Sequence, residues 1–427
     1  MELTEISKDS FTRTWEQLDM VPETSYVLLD IREDDQLHYG VVPEAYHEPQ
    51  SSFPVAAGGY EDNAAQEARI LDKVIHAASG RPVAVFCKSG VRSGAAVRWL
   101  REKGGLTVYD MEGGYDAWVI HALSTEEKHS EAARQLRTKQ IEQSIRKEFH
   151  KSILSKFTKA VRQYELVKPG DRIAVCISGG KDSMLMAKCF QELKRQNKFD
   201  FQVLYLCMDP GYNAANRHII EQNAKILGIP ITFFTSDIFD TVDKVPKSPC
   251  YLCARMRRGY LYSKAQELGC NKIALGHHYD DVIETTLMGM LYGAQVQTMM
   301  PKLHSTNFPG MELIRPLYLV REESIKRWRD ENNLHFLQCA CHFTETCTTC
   351  ASDGTTNSAR LAVKKLIRQM KKDNPFVESN IFNSMTNVNL STVLAYKKDG
   401  VTHSFLDNYD RDEPGMGAAP ESKGENA

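Results

Sequence analysis

The sequence predicts an α/β protein, a small parallel α/β domain followed by a larger domain built on a doubly wound parallel sheet. Three observations carry this. Short apolar runs of β character alternate with helical patterning along most of the chain. One such run, Ile173 to Ile177, breaks abruptly into Ser178-Gly179-Gly180-Lys181-Asp182-Ser183, and an amphipathic segment from Met184 to Leu193 follows at once. A chain of 427 residues, 42% apolar and 25% charged, has the composition of globular protein in two or three domains. The expected division is 1–125, an α/β domain; 126–165, a basic helical linker; 166–340, the larger α/β domain; 341–400, a cysteine-containing and basic helical region; and 401–427, a polar tail expected to be disordered.

In the first domain, Tyr26 to Arg32 reads as a buried strand ending in a charged turn. Pro82 to Cys87 is a second strand and Val108 to Met111 a weaker third. Ala64 to Ala78 and Gly94 to Lys103 have helical patterning between them, which implies parallel pairing. The second strand runs into Cys87-Lys-Ser-Gly-Val-Arg92-Ser93. A cysteine at a strand's end, before a loop with glycine and two cations, is placed to be held as a thiolate. Loop amides converging on the sulfur would do the same for a persulfide. Cys87 and Arg92 are therefore candidate catalytic residues.

From Arg134 to Arg162, nine Lys/Arg stand against two acidic residues, while Ile141, Ile145, Phe149, Ile153, Phe157 and Val161 recur every four residues. That spacing predicts a helix with one apolar face packed on a domain and its cations turned to water or nucleic acid.

The larger domain is organised around Ser178–Ser183. Gly179 and Gly180 let backbone N–H groups approach an anion, and the helix that follows presents its N-terminus to it. Ser178 and Ser183 add hydroxyls and Lys181 a point charge, while the Walker A spacing is absent. Further strands are expected at Phe201–Met208, Pro230–Phe234 and Lys272–His278, with a helix around Arg217–Leu227. Ligands of a doubly wound sheet lie beyond the carboxyl ends of its strands. Those ends carry Ser178–Ser183, then Met208 and Asp209, then Gly276, His277, Asp280 and Asp281, so these residues are expected to share one nucleotide site. Asp182, Asp280 or Asp281 is available to Mg²⁺.

Eleven cysteines without a secretory signal read as thiols, metal ligands or catalysts rather than disulfides. Cys250 and Cys253, at i and i+3, can ligate one metal or cluster but do not complete a site. Cys339, Cys341, Cys347 and Cys350 are further candidates. On spacing alone Cys250, Cys253, Cys347 and Cys350 form two Cys-x2-Cys pairs, a zinc pattern with a very long span. Cys176, Cys189, Cys207 and Cys270 fall in strands or helices and are expected in the core.

The net charge of -2 conceals an asymmetry: residues 1–130 hold 12 Lys/Arg against 22 Asp/Glu, the remainder 41 against 33. Only the second part is expected to meet a polyanion, and Ala359 to Lys372 is a basic helix within it. No apolar run approaches the ~20 residues of a membrane helix, so a cytoplasmic location with no membrane partner is expected.

The Ser178–Ser183 string resembles the loop of the PP-loop ATPases, which release pyrophosphate from ATP and leave an adenylate. Cys87–Ser93 resembles the active-site loop of the rhodanese family, in which the cysteine carries a transferable sulfur. Asp30-Ile-Arg32 and Glu112-Gly-Gly-Tyr-Asp-Ala-Trp118 fit two further motifs of that family. Its Gly-His-Ile-Pro-Gly-Ala turn appears here as Gly40-Val-Val-Pro-Glu-Ala45, a departure. Within about residues 150 to 395, the PP-loop string, Cys250–Gly259, Leu275–Asp281, Pro301-Lys302-Leu303 and Arg315-Pro-Leu317 resemble, in order, the tRNA 2-thiocytidine synthetases. That resemblance implies ATP, Mg²⁺ and a [4Fe-4S] cluster as cofactors and tRNA as partner. It implies Cys250, Cys253 and Cys339 as cluster ligands, with the fourth iron site open for sulfur. The family's Cys-x2-Cys is Cys339-Ala-Cys341 here, so Cys341 stays open as the third ligand and Cys347 and Cys350 are unassigned.

The implied reaction adenylates a pyrimidine C2 oxygen, cytidine 32 of tRNA in that family, with Lys181 and Asp182 in catalytic roles. A sulfur then displaces AMP. It originates as a persulfide on Cys87, charged by a cysteine desulfurase or other persulfide donor, and passes through the cluster. Two alternatives stand beside this: the same chemistry on another tRNA base or a small molecule, and a non-catalytic nucleotide-binding sulfur carrier. A homodimer is left open.

Overall fold

Val83–Phe86 is buried at all four positions, as a strand covered on both faces must be. In the computed structural model, which describes residues 3–4, 11–34, 36–53, 64–127, 130–236, 249–336 and 359–409, this strand is the centre of a five-stranded parallel sheet. Its strands are β1 (Thr12–Arg13), β2 (Val27–Asp30), β3 (Tyr46–His47), β4 (Val83–Phe86) and β5 (Val108–Met111), in the order β1-β5-β4-β2-β3. Helices α1 (Trp15–Leu18), α2 (Ala64–Ala78), α3 (Ser93–Gly104) and α4 (Gly114–Glu127) complete the domain. The core joins Leu29, Ile31, Val83 and Val85 to Ile70 and Val74 of α2 and Val97 and Leu100 of α3. Strands β1 and β3, two residues each, are too short to show a period and escape the sequence reading.

The linker is not one helix. It forms α5 (Glu131–Arg146), a π turn (His150–Leu154) and α6 (Ser155–Gln163). Apolar residues spaced strictly by four drift about 40° per step around a helix of 3.6 residues per turn. The π turn takes up that drift, with Leu154 N–H on Phe149 O at 3.3 Å, a bond to the fifth residue back. Ile141, Ile145, Phe149, Ile153, Phe157 and Val161 are consequently all buried.

The second sheet contains β6 (Arg172–Ile177), β7 (Gln202–Asp209), β8 (Ile231–Thr235), β9 (Lys272–Ala274), β10 (Lys302–His304) and β11 (Glu312–Ile314), in the order β10-β11-β9-β6-β7-β8. All neighbours are parallel except the edge pair β10–β11. Helices α7 (Lys181–Arg195), α8 (Ala214–Leu227), α9 (Pro249–Glu267), α10 (Tyr279–Gly293) and α11 (Glu322–Glu331) connect them. The strand expected from Lys272 to His278 stops at Ala274. Residues beyond it leave the sheet, and Asp281 Oδ2 accepts the His278 N–H at 3.0 Å to close the turn into α10.

The chain divides into two compact units, residues 1–282 with 299–361, and residues 283–298 with 362–427. Both sheets lie in the first. In the second, Lys364 stands 3.9 Å from Glu284 and Lys371 2.8 Å from Glu378. The helices α12 (Ala359–Asp373) and α13 (Val377–Ser384) lead there to a hairpin of β12 (Ala395–Lys398) and β13 (Val401–Ser404).

Candidate active site

Two chemical centres stand at the carboxyl ends of the two sheets. At the first, β4 ends at Phe86 and Cys87 follows, buried within its loop. Its Sγ accepts the backbone N–H of Arg92 at 3.4 Å and lies 3.5 Å from Ser93 Oγ. Ser93 opens α3, so the sulfur sits where a helix N-terminus favours negative charge. The head of α4 holds the loop from behind: Tyr115 N–H donates to Cys87 O and Asp116 N–H to Lys88 O, each at 2.9 Å. Gly114 permits this approach. Its φ is +56°, and a Cβ there would stand 2.8 Å from Gly90 N and overlap the Cys87 carbonyl oxygen.

Arg92 presents its backbone amide to the sulfur, while its guanidinium reaches Gln50 Oε1 at 3.2 Å. Asp30 and Arg32 form a buried bidentate pair, Nε to Oδ1 at 2.9 Å and Nη2 to Oδ2 at 2.6 Å. Arg32 also lies 3.8 Å over the Tyr115 ring and donates to Gly40 O at 3.0 Å, so this motif braces the domain. Glu44, in the departing turn, takes up φ +59°, the left-handed conformation that glycine adopts more readily.

At the second centre, the sheet order sets the position. From β6 the chain winds outward through β7 and β8, then returns to β9 on the other side of β6. The crevice of such a sheet opens at that reversal, beyond β6 and β9. Ser178–Ser183 follows β6 and Gly276–Asp281 follows β9, so the fold brings these two stretches together. A Cβ on Gly276 would lie 3.1 Å from Ser183 N, which shows how closely the loop after β9 approaches the head of α7.

The serine hydroxyls shape the loop itself: Ser183 Oγ accepts from Ser178 N at 3.1 Å and donates to Gly180 O at 3.0 Å, and Ser178 Oγ accepts from Gly180 N at 3.4 Å. The N–H groups at the head of α7 have no partner inside the helix and face this loop. Lys181 Nζ, nearly buried, lies 3.1 Å from Asp182 Oδ2 and 3.5 Å from Glu322 Oε1. Asp182 Oδ1 is buried without a hydrogen-bond partner among the described residues, as is His277 Nδ1.

The other carboxylates are engaged. Asp280 accepts the Glu322 N–H at 2.7 Å and pairs with Arg321 at 3.1 Å, capping α11. Asp281 pairs with Arg360 at 2.6 Å. Burial pushes the Asp281 carboxyl up, but His278 and Arg360 outweigh it and hold it at about 2. Burial pushes His277 down to about 4, leaving the ring neutral near pH 7. Met208 is buried in the core cluster, and Asp209 closes the turn after β7, accepting from Tyr212 N at 2.7 Å and Arg217 Nη1 at 2.7 Å. Only the backbone of Met208 therefore remains for a ligand.

Sequence reasoning did not find Glu322, Arg321 or Arg360. Each lies far along the chain from the group it pairs with, in no spaced motif; only Arg360 carried a signal, as part of a basic helix. Cys250 and Cys253 stand in the first turns of α9, while Cys339, Cys341, Cys347 and Cys350 lie outside the described residues. Among the described residues no three His, Cys, Asp or Glu are gathered to hold a metal. Cys176, Cys189, Cys207 and Cys270 are buried as expected, and burial pushes their thiols up, Cys176 and Cys207 to about 12. A cavity of about 750 Å³ lies at the opposite, amino end of β6, lined by Lys159, Arg162, Lys168 and Lys198 among others.

A family model for the PP-loop domain matches residues 149–341 and one for the rhodanese-like domain matches residues 15–121. A tRNA-cytidine(32) 2-sulfurtransferase of Coxiella burnetii is 34% identical over 258 residues, covering 59% of this chain and 95% of that protein. The enzyme of the same name from Geobacter sulfurreducens is 33% identical over 242 residues, 56% of this chain and 90% of that protein. Among solved structures, the U34-tRNA thiolase NcsA from Methanococcus maripaludis, with its [4Fe-4S] cluster, is 19% identical with a TM-score of 0.44, covering 55% of this chain and 77% of that one. With a rhodanese-like domain placed ahead of its PP-loop domain, this chain belongs to the tRNA-cytidine(32) 2-sulfurtransferase family.

Proposed function

We propose that the protein is an ATP-dependent tRNA sulfurtransferase that replaces the C2 oxygen of a cytidine, position 32 in the relatives' names, with sulfur first held on Cys87. The observation that carries this reading is the meeting of Ser178–Ser183 with Gly276–Asp281 at the reversal of the sheet. Loop amides, the head of α7 and Lys181 there form an anion cradle that fits the phosphates of ATP. Asp182 offers Mg²⁺ a buried Oδ1 without a hydrogen bond among the described residues, while its Oδ2 pairs with Lys181 as Asp280 and Asp281 pair with Arg321 and Arg360. Attack of the C2 oxygen on the α-phosphorus releases pyrophosphate, and Lys181 offsets the negative charge that builds on the phosphate oxygens.

Cys250, Cys253 and Cys339 would hold the [4Fe-4S] cluster, soft thiolates of the kind such clusters take. When bound, the cluster supplies an iron site on which sulfur can reside. Cys87 takes its sulfur from a cysteine desulfurase or other persulfide donor in the cytoplasm, and the Arg92 N–H and the Ser93 hydroxyl beside Sγ suit a cysteine that carries a persulfide. Arg92 contributes its amide.

The test feeds full-length protein with ATP, tRNA and a desulfurase-generated persulfide, and follows AMP release together with mass spectrometry of the digested nucleosides. Wild-type protein is expected to yield 2-thiocytidine. Lys181→Ala is expected to lower both readouts by about 10²–10³-fold, as loss of a charge-stabilising donor does. Cys87→Ser should still adenylate the base, read as pyrophosphate release, yet lose persulfide-fed thiolation and the AMP release that goes with it. A thiolated base other than cytidine would favour the broader substrate reading.

A further inference from the structure

We propose that the rhodanese-like domain is a fixed arm, seated through Trp118 on His335, so that Cys87 passes its sulfur to a thiolate of the same chain. This rests on the persulfide route above and adds its geometry.

Three contacts run in series from the sulfur to the larger domain. Tyr115 N–H holds the Cys87 carbonyl at 2.9 Å. The Tyr115 and Trp118 rings lie 5.5 Å apart, and Trp118 meets the His335 ring edge-on, at 4.5 Å and 71°. His335 precedes Cys339 by four residues in the sequence.

The seat is built on both sides. α4 lies along α8, and its buried Val119 and Leu123 leave Trp118 on another flank of the helix. Asn223 of α8, fully buried, donates Nδ2 to His335 O at 2.8 Å. Arg137 of α5 donates to Asn332 O and stands 3.8 Å from Glu126 at the end of α4. Burial pushes His335 down to about 4, so it meets the indole as a neutral ring. Nor does the linker leave slack. α5 is anchored by Ile141 and Ile145, both fully buried, and by Thr138 Oγ1 on Ile226 O at 2.7 Å. Residues 128–130 alone join α4 to α5, a reach of roughly 10 Å that keeps the end of α4 next to the start of α5.

In the transfer, a cysteine thiolate of the larger domain that is not a cluster ligand attacks the outer sulfur of the Cys87 persulfide. One S–S bond forms on the acceptor and the S–S bond at Cys87 breaks, releasing the Cys87 thiolate. The outer sulfur keeps its proton, and no oxidant or reductant is needed.

Trp118 and His335 are thus positioning residues, and two sulfur sources separate that role from a merely structural one. Full-length protein is assayed for tRNA thiolation with desulfurase-generated persulfide or with sodium sulfide, and Cys87 loading is followed with ³⁵S-cysteine. His335→Ala, with Arg137→Ala as a second variant, is expected to lose at least tenfold in persulfide-fed thiolation while sulfide-fed thiolation and Cys87 loading stay at wild type. Mixed Cys87→Ser and Cys250→Ala chains are expected to recover less than a tenth of wild-type persulfide-fed activity. Unchanged persulfide-fed activity in both seat variants, equal losses from both sulfur sources, or full recovery on mixing overturns the seat. Persulfide-fed activity that survives Cys87→Ser overturns the underlying route, and the seat with it.

Discussion

Lys181 shows how much one residue's role depends on partners that sequence spacing hides. It sits between Asp182 and Glu322, so its charge is held in place before any phosphate arrives. Histidine behaves differently here. His277 and His335 are both pushed down by burial to about 4 from an ordinary 6.5. The unfolded chain therefore takes up protons first as pH falls, and stability declines from pH 6.5 toward 4. Each ring contributes about 1.4 kcal/mol per pH unit in that window. Asp281 acts in the same direction in a lower window: its contribution is present above 3.8 and is lost as pH falls toward about 2. Denaturant midpoints measured between pH 7.5 and 5 are expected to fall below pH 6.5 in wild type and to flatten in a His277→Gln/His335→Gln variant. An equally steep fall in that variant would assign the pH dependence to other groups.

At the scale of elements, the Cys87 loop depends on the turn before α4 as much as on its own residues. A methyl group at Gly114 would run into the Cys87 carbonyl and Gly90 N in a left-handed backbone conformation. Gly114→Ala should cost about 2–4 kcal/mol from overpacking and backbone strain together. Cys87 loading should fall with it, while ATP binding to the other domain is retained. Differential scanning calorimetry and ³⁵S loading measure the two effects, and normal loading in a folded Gly114→Ala protein would show that the α4 turn does not shape the loop. The linker makes a related point: its four-residue period correctly marks the buried face but not the π turn, because the drift it must absorb appears only once the helix meets a fixed surface.

At the scale of the molecule, both chemical centres lie in one compact unit, and among the described residues no helix is long and apolar enough to cross a membrane. Protein purified anaerobically is expected to carry about four irons per chain and broad absorbance near ~400 nm. Both should vanish in Cys250→Ala and after chelation, and persulfide- and sulfide-fed thiolation should go with them. Zinc in place of iron would instead make Cys250 and Cys253 part of a structural site.

Much of this was written locally in the chain. The Ser178–Ser183 loop, the Cys87 loop, the parallel α/β class and the apolar face of the linker are short-range patterns, because a strand–loop–helix and a helical stripe are each specified within a few turns of chain. What the sequence could not supply are the pairings across long separations. Glu322 on Lys181, Arg360 on Asp281 and His335 on Trp118 join residues from distant segments. The commitment of Asp280 and Asp281 to arginines, which leaves Asp182 with the orphaned oxygen, likewise follows from where α11 and α12 begin. Tertiary packing alone decided those contacts, since burial and charge pairing act on distance in space and a motif records only distance along the chain.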